Sequence, residues 1–138
     1  MILGLDPGRD KCGLAIMGEK KVIEHRIVDS DLTISLIQEL IQNYRVDLIV
    51  MGDGTTSKGW YEKIKSNLAK EITVVTVDEK NSTLEARDRY WLMYPPQGLQ
   101  RIIPQGLRIP PRPVDDIVAI LLIERYLQSL GEQSNLPA

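Results

Sequence analysis

Ile2-Leu3-Gly4-Leu5-Asp6, then Pro7-Gly8-Arg9-Asp10-Lys11, then Gly13-Leu14-Ala15-Ile16-Met17 is the stretch on which the fold turns. Two short apolar runs flank a segment of proline, glycine and aspartate, residues that favour turns for separate physical reasons. The pattern predicts a β-hairpin whose first strand ends at Asp6. Gly18-Glu19-Lys20-Lys21 reads as a second turn, and Val22-Ile23-Glu24-His25-Arg26-Ile27-Val28 as a third strand. Three antiparallel strands therefore open the chain.

Downstream, the apolar period changes. Asp31 can cap a helix whose Ile34, Ile37, Leu40, Ile41 and Tyr44 share one face. Asp47–Met51 is a short run ending at Gly52, suited to a strand buried on both sides. A Gly/Thr/Ser loop leads to a weaker helix over about 60–70, and Ile72–Val77 is the strongest strand signal, running straight into Asp78-Glu79. Ser82 or Thr83 can cap a short helix through about Met93, with Glu85 in its first turn. Residues 95–113 hold six of the eight prolines and two copies of Pro-Gln-Gly-Leu, at Pro96 and Pro104, which excludes a regular helix. Pro113 restarts the chain as a nearly buried helix bearing Val114, Ile117, Val118, Leu121, Leu122 and Leu127, and the tail over 131–138 is expected to fray. The order β-β-β-α-β-α-β-α-α predicts a single α/β domain over 1–138. Its five-stranded mixed sheet has three antiparallel strands followed by parallel ones, with helices on both faces.

Composition agrees with a globular domain: 138 residues, 43% hydrophobic, 26% charged. The lone Cys12 excludes an intrachain disulfide framework and a multi-cysteine zinc site, and the lone His25 excludes a histidine triad. No apolar run nears the ~20 residues of a membrane span, and the first aspartate arrives too early for a signal peptide, so a cytoplasmic protein is expected. A net charge of −2 argues against a generic nucleic-acid coat but says nothing of a local basic patch.

The acids fall at telling places. Asp6 ends the first strand, Glu79 follows the last, and Asp115-Asp116 start the final helix. In an α/β sheet, polar groups at strand ends gather over a rigid edge. Three carboxylates ~5 Å apart would repel by roughly 3 kcal/mol per pair at an effective dielectric of 20, so such a cluster calls for a cation. Hard oxygen donors without His or Cys suit Mg²⁺ or Mn²⁺, which can activate water for phosphodiester cleavage. Any one of these acids alone is more often a turn or capping residue, and either Asp115 or Asp116 could be the cap.

Gly4-Leu5-Asp6-Pro7-Gly8 through Gly13-Leu14-Ala15, Val77-Asp78-Glu79-Lys80-Asn81-Ser82-Thr83-Leu84-Glu85-Ala86, and Val114-Asp115 through Ala119 with Tyr126-Leu127 resemble the YqgF (RuvX-like) family. These are RNase H-like proteins described as Holliday junction resolvases and as pre-16S rRNA nucleases. The opening motif is the weak part, because Asp-x-Gly also opens the phosphate hairpin of actin-like ATPases and sugar kinases. Those need two such domains, and 138 residues provide one. The resemblance implies that Asp6, Glu79 and Asp115 are the catalytic, metal-binding acids. Asp115 matches better than Asp116, since it follows an apolar residue and precedes Tyr126 by eleven positions. Lys80 stands at the family's usual Arg and Lys11 at the basic position of the first turn; both keep the charge without the planar fork. The Gly52–Ser57 loop and the proline loop depart from the family pattern.

The implied activity is a metal-dependent nuclease acting on precursor rRNA or branched DNA. The alternative is a non-catalytic nucleic-acid or ribosome-binding module. Related resolvases act as dimers, while trimming an RNA end needs one site, so a homodimer stays open. From Lys80 to Pro113 six positive side chains face only Glu85 and Asp88. With Lys11 and Lys80, Arg101 and Arg108 are the candidate substrate-binding residues, placed to neutralise phosphates. Tyr90, Trp91 and Tyr94 could stack on bases, although packing is the commoner use of such residues. Gly52, Gly54, Thr55, Thr56 and Ser57 could cradle a phosphate or be a plain connection, and the Gly-Lys-Ser/Thr ending of a Walker loop is missing. His25 reads as a surface or interstrand residue and Cys12 as a small hydrophobe.

Overall fold

The computed structural model describes residues 1–68 and 71–134. Its strands are β1 (Ile2–Asp6), β2 (Lys11–Gly18), β3 (Lys21–Asp29), β4 (Leu48–Gly52) and β5 (Thr73–Val77). The helices are α1 (Ser30–Tyr44), α2 (Ser57–Asn67), α3 (Ser82–Met93) and α4 (Asp115–Ser134). The sheet runs β3-β2-β1-β4-β5, with β3, β2 and β1 antiparallel and β1, β4 and β5 parallel. This is the mixed sheet the sequence predicts.

Because successive strand residues point to opposite faces, the sheet serves two cores. Leu3, Leu5, Leu14, Ile16, Ile49 and Met51 pack with Ile37 and Leu40 of α1 and Trp60 and Ile64 of α2. Ala15, Met17 and Val50 pack on the other face with Ala86, Tyr90 and Trp91 of α3 and the stripe Ile117–Ile123 of α4. Two glycines let α4 lie directly on the sheet. A Cβ at Gly4 would come 2.4 Å from the Ala119 carbonyl oxygen, and one at Gly13 would come 1.9 Å from that of Asp115. That close approach fixes where α4 begins.

Several boundaries differ from the sequence expectation. α1 starts at Ser30 with Asp29 as an N-cap that makes no side-chain bond, so Asp31 sits in the first turn instead of capping. α2 starts at Ser57, three residues ahead of Trp60, and ends at Asn67, while residues 69 and 70 lie outside the described ones. At α3 neither Ser82 nor Thr83 is the cap. Asn81 is, in the left-handed region at φ 61°, which asparagine tolerates better than most residues. The two Pro-Gln-Gly-Leu copies become two short 3₁₀ turns, Gly98–Ile102 and Gln105–Leu107. α4 continues through Ser134, past the point where fraying was expected, and residues 135–138 lie outside the described part.

Candidate active site

Register brings the three acids to one end of the sheet. Asp6, last residue of β1, pairs across the ladder with Gly13, the residue on which the Asp115 backbone rests. On the other side of β1 lies β4, ending at Gly52, whose neighbour in β5 is Val77. Two residues beyond Val77 is Glu79, and its carboxylate folds back over β4. A Cβ at Gly52 would lie 2.3 Å from Glu79 Oε2, and one at Gly54 would lie 2.0 Å from Oε1. The Gly52–Gly54 turn thus makes room for Glu79, and it is this carboxylate, rather than a phosphate, that the two glycines accommodate. Thr56 of the same loop donates its hydroxyl to Pro7 O at 3.4 Å.

The connection carrying Glu79 is held from two sides. Asp53 Oδ1 accepts the Glu79 backbone N–H at 3.2 Å. From α4, Arg125 donates to Asp78 O at 2.7 Å and Lys80 O at 2.9 Å, and pairs with Glu85 at 3.1 Å. A planar guanidinium can satisfy several acceptors at once, which suits it to clamp a loop.

Electrostatics ties the three acids together. Burial, then the carboxylates of Asp115 and Glu79, push the Asp6 carboxyl up to about 7. Glu79 is raised by burial and then by Asp53 and Asp78. Asp115 is raised by burial and by Asp116, with Lys11 pulling the other way. Lys11 therefore stands near this group of acids. Arg101 and Arg108 are not among the residues lining the cavity next to Asp115, and Arg108 instead donates to Gln100 O at 2.9 Å and lies over the Trp91 ring. Lys80 lines a different cavity, with Asp78, Glu85 and Arg125.

Asp116 has another situation. It is 3% exposed, with Oδ2 2.6 Å from His25 Nδ1 and Oδ1 3.0 Å from an Arg112 guanidinium nitrogen. Burial alone would raise its pKa, but these two hydrogen bonds hold it below the ordinary carboxylate value. Arg112 also lies over the rings of Tyr90 and Tyr94. His25 thus belongs to a partly buried network joining β3, the end of the proline loop and the first turn of α4. Sequence reading missed it because a histidine in an exposed-looking strand carries no mark of a partner 91 positions away. Trp91 and Tyr90 are buried, so packing accounts for both, whereas Tyr94 is 41% exposed.

The donor set fits a hard divalent cation: carboxylates only, from three elements, each with its charged form disfavoured by burial and by acidic neighbours. Their side chains are not closed around a centre. Among the described residues, no three His, Cys, Asp or Glu side chains form a group that could hold an ion.

The element order and mixed sheet, with acids near the strand ends, define an RNase H-like fold. Residues 1–129 match the RuvX family, described as Holliday junction resolvase, and the chain belongs to that nuclease family. It is 23% identical over 144 residues to a protein of Sulfurihydrogenibium sp. (strain YO3AOP1) named "Putative pre-16S rRNA nuclease", covering 94% of this chain and 91% of the relative. Two solved structures share the fold. RuvC of Thermus thermophilus, in complex with a Holliday junction substrate, superposes with a TM-score of 0.59 at 16% identity, covering 94% of this chain and 95% of that one. The fowlpox virus resolvase, in complex with Holliday junction DNA, does so with a TM-score of 0.60 at 12% identity, covering 94% and 97%.

Proposed function

We propose that this chain is a divalent-metal-dependent nuclease hydrolysing phosphodiester bonds in structured nucleic acid, with Asp6, Glu79 and Asp115 as its catalytic acids. The observation that carries the reading is the convergence of Asp6, Glu79 and Asp115 at one end of the sheet, where burial and then the Asp115 and Glu79 carboxylates push the Asp6 carboxyl up to about 7. Such an arrangement is costly unless a cation offsets it. Mg²⁺ or Mn²⁺ held by these acids would supply an activated water and neutralise charge on the departing oxygen. The residues of the chain have distinct tasks. Asp6 sits on a rigid strand end, Glu79 is oriented by Asp53 and Arg125, and Asp115 is fixed by the contact of α4 with Gly13. Lys11, already close enough to favour the Asp115 carboxylate, is placed to meet a phosphate approaching the acids.

Both named activities of the relatives fit this chemistry: cleavage of a four-way DNA junction, and processing of pre-16S rRNA, and a cytoplasmic location would go with either. A side-by-side assay with Mg²⁺ or Mn²⁺ on a four-way junction and on a pre-16S rRNA fragment tests the reading. Cleavage of either one, abolished by Asp6→Asn, is the expected result. Binding without cleavage of both, unchanged by Asp6→Asn, would make this a binding module instead. Sizing the protein on the cleaved substrate adds the assembly: two symmetric cuts in a junction require two copies, one RNA end only one.

A further inference from the structure

We propose that the cavity between α3, the end of the proline loop and the start of α4 is a subsite for the sugar-phosphate backbone beside the scissile phosphate, with Arg87 as its phosphate-binding residue. The proposal rests on the nuclease reading only for the word scissile. The cavity holds about 230 Å³, and Asp115 lines it together with Thr83, Arg87, Arg112, Ile109 and Pro110. A strand lying against the Asp115 carboxylate would therefore pass through it.

Arg87 is singled out by what its neighbours do. On α3, Glu85 pairs with Arg125, Arg89 makes a two-pronged pair with Glu124, and Asp88 accepts from Gln105. Arg112 is occupied by Asp116 and by the rings of Tyr90 and Tyr94. Among the described residues Arg87 has no hydrogen bond or ion pair, so its fork of donors is available at no cost of breaking a contact. Thr83 lies one helical turn before it, on the same face, and adds a hydroxyl donor. The guanidinium can grip a phosphate through two parallel hydrogen bonds. Ile109 and Pro110 add apolar lining, suited to the carbon face of a ribose or deoxyribose. A lining that is part cationic and polar, part apolar matches a sugar-phosphate unit better than a free inorganic anion. Arg101 and Arg108, the cations of the proline loop that sequence pointed to, do not line this cavity.

The test compares wild type with Arg87→Ala and Arg87→Lys in the full chain. Affinity for the four-way junction and for the pre-16S rRNA fragment is measured without divalent metal over a range of salt. Cleavage is followed separately with Mg²⁺. Arg87→Ala is expected to weaken binding about tenfold and to reduce the log–log salt slope by about 0.7–0.9, one phosphate contact. KM should rise with kcat held within about twofold, and the melting temperature should stay unchanged because Arg87 is exposed. Arg87→Lys should keep the salt slope while recovering part of the affinity. Wild-type affinity and salt slope in Arg87→Ala would overturn the proposal. If Arg87→Ala loses affinity and slope but no protein cuts either substrate, the phosphate site stands and the nuclease reading falls.

Discussion

Asp115 and Asp116 are adjacent in sequence and opposite in circumstance. Neighbouring helical residues point about 100° apart, so the one facing the strand ends cannot be the one facing β3. Asp115 is half-buried beside other acids and pays an electrostatic cost; Asp116 is buried, bonded twice and favoured as a carboxylate. The two Asn variants should therefore separate activity from stability. Asp115→Asn is expected to abolish cleavage while leaving the melting temperature equal or higher. Asp116→Asn removes the charge of the buried carboxylate that His25 and Arg112 both contact and should destabilise the protein by at most about 3 kcal/mol, with the smaller loss of turnover per folded molecule. Chemical denaturation and single-turnover cleavage on both variants check this, and the reverse order would transfer the catalytic role to Asp116. The position of Asp115 relative to an apolar residue and Tyr126 was readable from the chain; the His25–Asp116–Arg112 network was not, since only folding brings β3 beside α4.

At the scale of elements, glycines decide which segments may touch. Gly54→Ala places a methyl 2.0 Å from Glu79 Oε1, and the side chain at risk is flexible and is one of the three acids of the proposed site. Cleavage should fall about a hundredfold, the effect of displacing a reacting group by ~1 Å, while stability changes little. Gly13→Ala meets the Asp115 backbone at 1.9 Å, which cannot rotate away, so it should cost roughly 3 kcal/mol or more in denaturant unfolding. Similar effects of the two variants on stability would contradict this division. The strand and helix order was legible because short apolar runs give way to a 3.6-residue period at Asp31 and return at Asp47. The function of Gly52 and Gly54 was not legible, because a glycine in a loop shows permissiveness without showing what approaches it. The proline loop was legible only as non-helical. Its Leu99, Ile102, Leu107 and Ile109 are all more than 70% exposed, so they cover no core of this chain.

For the whole molecule, the acid group makes stability depend on pH in the direction opposite to that of ordinary salt-bridged carboxylates. Asp6 titrates at about 7 in the folded chain against 3.8 for an unperturbed aspartate, and Glu79 and Asp115 are shifted the same way. Between those values the folded state holds protons that the unfolded state has released, so the slope of stability with pH is negative there. Metal-free protein should thus lose stability as pH rises from about 4 to about 7 and level off above it. Asp116, shifted downward, contributes in the other sense and only below about 4. One pKa unit corresponds to about 1.4 kcal/mol, so the upper bound for Asp6 is about 4 kcal/mol, less whatever its coupled neighbours absorb. Asp6→Asn should remove most of this decline and be the more stable protein at pH 8. A cation bound to the folded state adds stability by mass action, about 2.7 kcal/mol at a hundredfold excess over its Kd. Mg²⁺ should therefore raise the melting temperature of the wild type most at pH 8, where the acids are ionised, and least at pH 5. Thermal unfolding with Mg²⁺ or EDTA from pH 4 to 9 measures both curves. A metal-free stability that climbs from pH 4 to 7, or an Mg²⁺ shift as large in Asp6→Asn as in the wild type, would show that these acids do not form the cation site.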